Sequence, residues 1–203
     1  MQIVKPSFEI LDPIDVEWVM EKLERCGRVA YKSEDRMTPG SADRFLRSLI
    51  RRGHESVIEH VNLTIRFICD RGVTHELVRH RLVSYTQEST RYCNYSEKGV
   101  TFIKPPWGLG DSDMAFLERA VAQYKFKLLQ GQTPQQARYF LPNGLKTEIV
   151  ATANLREWRH ILRLRTAPVA HPQMRELMIP LLGELKRCLP ALFDDIQVKE
   201  ETC

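Results

Sequence analysis

Between Val61 and Phe67 every second residue is apolar: Val61, Leu63, Ile65 and Phe67 alternate with Asn62, Thr64 and Arg66. Period-two alternation turns one face of an extended segment inward and the other to solvent, so this stretch reads as a half-buried strand. Thr147 to Ala153 is a second strand-like stretch. Around them the spacing is helical. Asp12-Pro13 opens a helix that Gly27 is expected to close, and Ser41 opens another that runs through Phe45, Leu46, Leu49 and Ile50 to Gly53. A long helix is expected from Asp111 to Gly131, a short one after the capping box Thr133-Pro134-Gln135-Gln136, and a further one after Asn154-x-x-Glu157. The last, from about Pro172 to Leu189, carries Met174, Leu177, Leu181 and Leu185 on one face and is expected to kink at Pro180. Helices with a few strands, and no repeat or linker between them, make an α+β fold of one domain the expectation.

A chain of 203 residues can bury roughly 70% of its unfolded surface in a core, so neither metal nor disulfide is needed for folding. No apolar run approaches the roughly 20 residues of a membrane span, and Met1-Gln2-Ile3-Val4-Lys5-Pro6 has no signal-peptide character. The five cysteines are odd in number and never in C-x-x-C spacing, which fits a reducing cytoplasm better than a disulfide framework or a zinc knuckle. Net charge is only +4, yet arginine outnumbers lysine twenty to ten, a bias toward the side chain that grips phosphates and carboxylates in bidentate fashion. Nucleic acid is a rival partner, but the basic residues are interleaved with 26 acids and form no dense tail or patch.

Arg79-His80-Arg81 opens a polar segment that continues to Cys93. On the helix expected after the Val61–Phe67 strand, three consecutive side chains point about 100° apart, so some of these cations must face protein or ligand. The nearby acids, Glu76 and Glu88, are too few to neutralise Arg79, Arg81 and Arg91 together. The segment therefore reads as a cradle for an anionic ligand, with a solvated basic turn as the alternative. The helix after Asn154 supplies a second cationic surface. Arg156, Arg159, His160 and Arg163 share one face, opposite Leu155, Trp158, Ile161 and Leu162, with no acid at i+3 or i+4 to relieve their repulsion. Arg165 projects between Trp158 and Ile161, which makes it either an arginine that snorkels or caps the helix end, or a cation held in a pocket.

Other motifs carry less. His54 and His60 lie six apart, about 240° on a helix, too far round for a pair of metal ligands. Gly108-Leu109-Gly110 is followed by Asp113 where a dinucleotide fingerprint needs glycine. No Ser-His-Asp order runs through Ser84 or Ser89, and Cys93 beside Arg91 reads either as a nucleophile whose pKa the cation lowers or, being in no fixed motif, as an inert thiol. No metal is expected.

Arg79-His80-Arg81 followed by Ser89 and Arg91-Tyr92 resembles the signature of flavin-dependent thymidylate synthases. Gly53-His54-Glu55-Ser56 with Glu59-His60, Ala137-Arg138 with Leu141-Pro142, and Asn154 through Arg165 resemble the family's other blocks. The resemblance implies a single domain over residues 1–203 with a central, mainly antiparallel sheet packed by helices, assembled as a homotetramer. It implies reductive methylation of dUMP to dTMP without an enzyme nucleophile, with methylenetetrahydrofolate as carbon donor and NADPH-reduced FAD as hydride donor. FAD would be held by His54, Ser56, Arg79, His80, Arg81 and Gln87, with Asn154, Arg156 and His160 reaching it from a neighbouring subunit. The substrate would meet Glu76, Arg79, Gln87, Glu88, Ser89, Thr90 and Arg91, and Arg138 would grip its phosphate across the interface. Arg165 would pair with the uracil edge as the catalytic cation. Neither nucleic acid nor a membrane is implied as a partner. The chain departs from frequent family residues at His75-Glu76, Thr86-Gln87 and His160.

Overall fold

The alternating segment is a strand, β3 (Asn62–Asp70), with Leu63, Ile65, Phe67 and Cys69 buried. In the computed structural model, which describes residues 1–97 and 99–198, it lies in a four-stranded sheet of order β2-β3-β6-β4, where β2 is Ser7–Ile10, β4 Ser84–Gln87 and β6 Lys146–Asn154. Two contacts fix the direction of β6 against β3. Leu155 N–H donates to the Val61 carbonyl and the Thr152 and Thr64 hydroxyls meet at 3.1 Å, so numbering rises on one strand as it falls on the other. The same holds for β2, where Leu11 N–H donates to the Thr64 carbonyl and Glu9 pairs with Arg66. The fold is α+β with a mainly antiparallel sheet. A separate parallel pair joins β1 (Gln2–Val4) to β5 (Thr101–Ile103) in the register Ile3 opposite Phe102.

The chain forms two compact units, and β3 and β6 each run from one into the other. The first comprises Met1–Glu9, Arg66–Arg79 and Tyr85–Ala151. Its core gathers Val100, Phe102, Leu117, Val121, Tyr124 and Leu145 under helix α4 (Asp111–Leu129). Asp113 accepts from the backbone of Gly110 at the start of α4. Helix α3 (Arg71–Leu77) begins at the Asp70 cap, and α5 (Pro134–Ala137) starts with the expected reciprocal Thr133–Gln136 capping box.

The second unit comprises Ile10–Ile65, His80–Ser84 and the described residues from Thr152 onward. It holds α1 (Val16–Arg28), α2 (Ser41–Arg51), α6 (Leu155–Arg165), α7 (Pro172–Cys188) and α8 (Pro190–Phe193). Helix α1 differs from its expected bounds at both ends. Asp15, not Asp12, caps it by accepting from Trp18 N–H, because the Asp12 carboxylate is engaged by the backbone of Thr64. Gly27 lies inside the helix rather than closing it, and a Cβ there would come within 2.7 Å of the Phe45 ring on α2. The glycine is a point of close helix approach. Pro180 lies within α7 as expected.

The Arg79-His80-Arg81 triplet is not helical. Helix α3 ends at Leu77, Val78 caps it, and the triplet occupies the turns that lead into β4. Strand β4 itself, inside what reads as a continuous polar segment, is paired through its backbone and needs no apolar face to form.

Candidate functional site

In the second unit the end of α6 and the turn at His80 build one cluster. Asn154 Oδ1 accepts from Glu157 N–H at 2.9 Å, which starts α6, and Trp158 Nε1 donates to the Leu63 carbonyl at 3.0 Å, which ties the helix to β3. Glu157, His160 and Arg165 then surround His80. The His80 side chain is buried at 6% exposure, and its Nε2 accepts from Arg165 Nε at 3.0 Å. Its Nδ1 lies 3.7 Å from Glu157 Oε1, and its ring meets that of His160 edge-on at 5.8 Å. Burial, and after it the charges of Arg165 and His160, push the His80 pKa down to about 4, so the imidazole is neutral at pH 7. Burial raises the Glu157 carboxyl, against the pull of His160. Arg165 is half-buried. The chemistry on offer is a fixed cation resting on a neutral imidazole.

The basic face of α6 is not left to repel itself. Arg156 pairs with Glu59 at 2.5 Å. Arg159, fully buried, reaches Asp195 at 2.7 Å, Glu55 at 3.1 Å and the Leu192 carbonyl, and Arg163 shares both acids. Burial would raise the Glu55 and Asp195 carboxyls, but the two guanidiniums outweigh it and lower them. The acids come from distant parts of the chain, so Arg159 and Arg163 are structural, contrary to the expectation of an unrelieved cationic face. His54 and Ser56 flank Glu55 on the 3-10 turn Glu55–His60, both exposed.

The first unit gathers most of the expected substrate residues. Arg138 Nη1 donates to Thr90 Oγ1 at 2.9 Å. Arg91 Nε donates to Gln135 at 2.8 Å, and its backbone N–H to Ser89 Oγ. Among the described residues both guanidiniums thus have neutral partners only. Glu76 is half-buried in the last turn of α3, and the Arg79 backbone donates to its carbonyl. Gln87 turns its amide nitrogen onto the buried hydroxyls of Thr74 and Thr147, at 3.0 and 3.3 Å. Glu88 accepts from Tyr95 Oη at 2.6 Å and pairs with Lys146 at 3.2 Å. Burial disfavours the charged Lys146, but Glu148 and Glu88 outweigh it and raise its pKa. Burial, together with Glu88, raises the Tyr95 hydroxyl. Gln87, Glu88, Tyr95 and Lys146 line a cavity of about 690 Å³, within the range of small-molecule sites. Lys146, Tyr95 and Glu157 went unrecognised in the sequence: the first two follow no motif, and Glu157 reads as a helix-start acid.

Arg79 and Arg81 are exposed, and among the described residues neither makes an ion pair or a side-chain hydrogen bond. Uncompensated arginines of this kind are suited to anionic ligands.

The sequence profile of the thymidylate synthase complementing protein family matches residues 19–191. The flavin-dependent thymidylate synthase of Mycobacterium bovis (strain BCG / Pasteur 1173P2) is 35% identical, over 97% of this chain and 88% of that protein. The chain belongs to the flavin-dependent thymidylate synthase family. The family's Mycobacterium tuberculosis member (strain ATCC 25618 / H37Rv) matches at the same identity and coverage, and that of Mycobacterium sp. (strain JLS) is 34% identical over 97% of this chain and 89% of its own. Among solved structures, a UMP/dUMP methylase PolB from Streptomyces cacaoi, crystallised with 5-Br dUMP, shares the fold at a TM-score of 0.79 and 23% identity, covering 96% of each chain. Among the described residues of this flavin-dependent thymidylate synthase family member, no helix is long and apolar enough to cross a membrane.

Proposed function

We propose that this chain converts dUMP to dTMP by reductive methylation, with methylenetetrahydrofolate as the carbon donor and NADPH as the reductant. Family membership supports the reaction class. The observation that carries the reading to particular residues is the division among the arginines. Arg159 and Arg163 are neutralised by Glu55 and Asp195, whereas Arg79, Arg81, Arg91 and Arg138 have no carboxylate among the described residues. Arg91 and Arg79, with Ser89, Thr90, Glu76, Gln87 and Glu88, would hold dUMP, whose phosphate Arg138 of a neighbouring subunit would also grip, and Arg165 would pair with its uracil edge. Arg79, Arg81, His80, His54, Ser56 and Gln87 would hold FAD, joined by Asn154, Arg156 and His160 of a neighbouring subunit.

FAD, when bound and reduced, supplies the hydride. The chain's own contribution to bond making is electrostatic. Arg165 beside the uracil nitrogen-3 would stabilise negative charge there and raise electron density at carbon-5, the atom that takes the one-carbon unit. A guanidinium does this at neutral pH because it stays protonated in a half-buried site. No enzyme nucleophile is required, in keeping with a sequence in which Cys93 and Ser89 lie in no nucleophile motif. Residues 1–203 would act as one functional domain, in the cytoplasm, as a homotetramer with no nucleic acid or membrane partner.

The test is the visible spectrum of the purified protein under anaerobic conditions. Flavin bands that bleach on NADPH addition, faster with dUMP present, are the expected result. Protein that shows no flavin bands after incubation with FAD and desalting overturns the proposal.

A further inference from the structure

We propose that Glu157 is a positioning residue for Arg165: its carboxylate holds the His80 proton on Nδ1, so that Nε2 keeps a lone pair toward the Arg165 Nε–H and fixes the guanidinium in place. The argument begins with donor chemistry. An arginine Nε carries a hydrogen and can only donate, so the 3.0 Å contact requires His80 Nε2 to accept. A neutral imidazole whose Nε2 accepts carries its proton on Nδ1. Glu157 Oε1 lies 3.7 Å from Nδ1, a gap that a small side-chain rotation closes. Glu157 is 8% exposed, so its carboxylate acts in a poorly solvated surrounding where such an interaction is strong. His160, edge-on to the ring, is a further titratable neighbour, and it favours an uncharged His80 as Arg165 does.

The same bond weighs against a competing reading. The ligand atoms of His80, Glu157 and His160 lie within 4.8 Å of one another, close enough to hold a divalent cation. A cation on His80 Nδ1 would move the proton to Nε2, where it would confront the hydrogen on Arg165 Nε, and it would add charge beside a guanidinium. The tautomer that suits Arg165 leaves no lone pair on Nδ1 for a metal, while Nε2 is taken by Arg165.

The consequence falls on Arg165. An arginine anchored at Nε has its last torsions fixed, and a displacement of roughly 1 Å in a reacting site costs on the order of 100-fold in rate. The link to catalysis rests on the proposed role of Arg165 at the uracil, but the tautomer assignment does not, and the experiment separates the two. In protein labelled with nitrogen-15 at histidine, two-bond proton–nitrogen correlation spectra distinguish the tautomers, and a His80→Asn variant identifies the His80 signals. The expected result at neutral pH is Nδ1–H in the unsubstituted protein and a shift toward Nε2–H in Glu157→Ala. Glu157→Ala should retain flavin and lose about ten- to a hundredfold in kcat. Glu157→Gln, which keeps an acceptor oxygen, should retain the tautomer and most of the rate. An Nε2–H tautomer in the unsubstituted protein, a Glu157→Ala spectrum with His80 unchanged, or zinc titration that moves the His80 and His160 signals together at micromolar metal overturns the proposal. Absent flavin chemistry would overturn the proposed function and leave the tautomer result standing on its own.

Discussion

His80 joins two roles that set opposite demands on one imidazole: it lies buried, and it lies against a permanent cation. Both demands favour the neutral ring, which is why its pKa falls to about 4. Stability should record this. The unfolded chain takes up a proton at His80 near pH 6.5 while the folded one resists until about 4, so between those values the unfolded state binds more protons and stability falls as the pH falls. The contribution is complete above pH 6.5 and amounts to on the order of 3 kcal/mol lost by about pH 4. Glu157, with its carboxyl raised, works in the other direction near its own titration, and Glu55 and Asp195, both lowered, lose their contributions only at the acid end. Urea unfolding across pH 4 to 7 should therefore show a slope that His80→Asn flattens; an unchanged slope would mean that His80 already titrates as an exposed histidine. Arg165 carries the second prediction at this scale. Arg165→Ala should bind flavin as before and lose at least about 100-fold in kcat, the usual cost of removing one preorganised charge-stabilising donor. A dTMP formation rate close to that of the unsubstituted protein would remove Arg165 from the chemistry.

Between elements, α1 and α2 approach closely at Gly27. Gly27 leaves room for the Phe45 ring, and the same corner is held by Glu24, buried at 2%, which accepts from Arg28 at 2.6 Å and Ser41 at 2.7 Å. Gly27→Ala should gain up to about 1 kcal/mol in helix propensity and lose about 1–3 kcal/mol in displaced packing, for a net loss in urea unfolding. A stabilised variant would show that the ring moves aside at little cost. That role of Gly27 was not legible in the sequence, where a glycine at the end of an apolar period reads as a stop. What was legible had strong local periodicity: the alternation in β3 and β6, the Thr133 capping box, the Asn154 cap and the apolar faces of α2 and α7. The short strands were not, since β1 forms only by pairing with β5, about a hundred residues away, and neither has enough residues to show a period. The basic face of α6 was misjudged for the same reason. A test for acids at i+3 and i+4 is blind to Glu55, which meets Arg159 across 104 residues. Of the candidate site, the arginines were readable from their numbers against the nearby acids. Glu157, Lys146 and Tyr95 became visible only through their contacts.

At the scale of the whole molecule, the proposed site draws on two sets of residues that the resemblance assigns to different subunits. Arg79 and Arg81 would hold FAD from one, and Asn154, Arg156 and His160 from another. If so, a subunit damaged in one set can still lend the other. Arg81→Ala and Arg156→Ala chains, each inactive alone, should form hybrid assemblies when co-expressed, in which random mixing leaves roughly a quarter of the sites with both sets intact. Flavin content and dTMP formation should recover to about that fraction. A site built within one chain predicts something different, because every site would then carry one lesion and the mixture would perform no better than the average of its parents. Arg156 makes the comparison stringent, since its guanidinium already pairs with Glu59 of its own chain at 2.5 Å and must exchange or share that partner to meet a cofactor. An exposed pair of this kind contributes up to about 1 kcal/mol, so a dinucleotide phosphate arriving from across an interface can displace it. Glu59→Gln should therefore leave flavin retention unchanged or strengthen it in the assembled protein, and a loss of flavin in that variant would place Arg156 in the structural framework with Arg159 and Arg163.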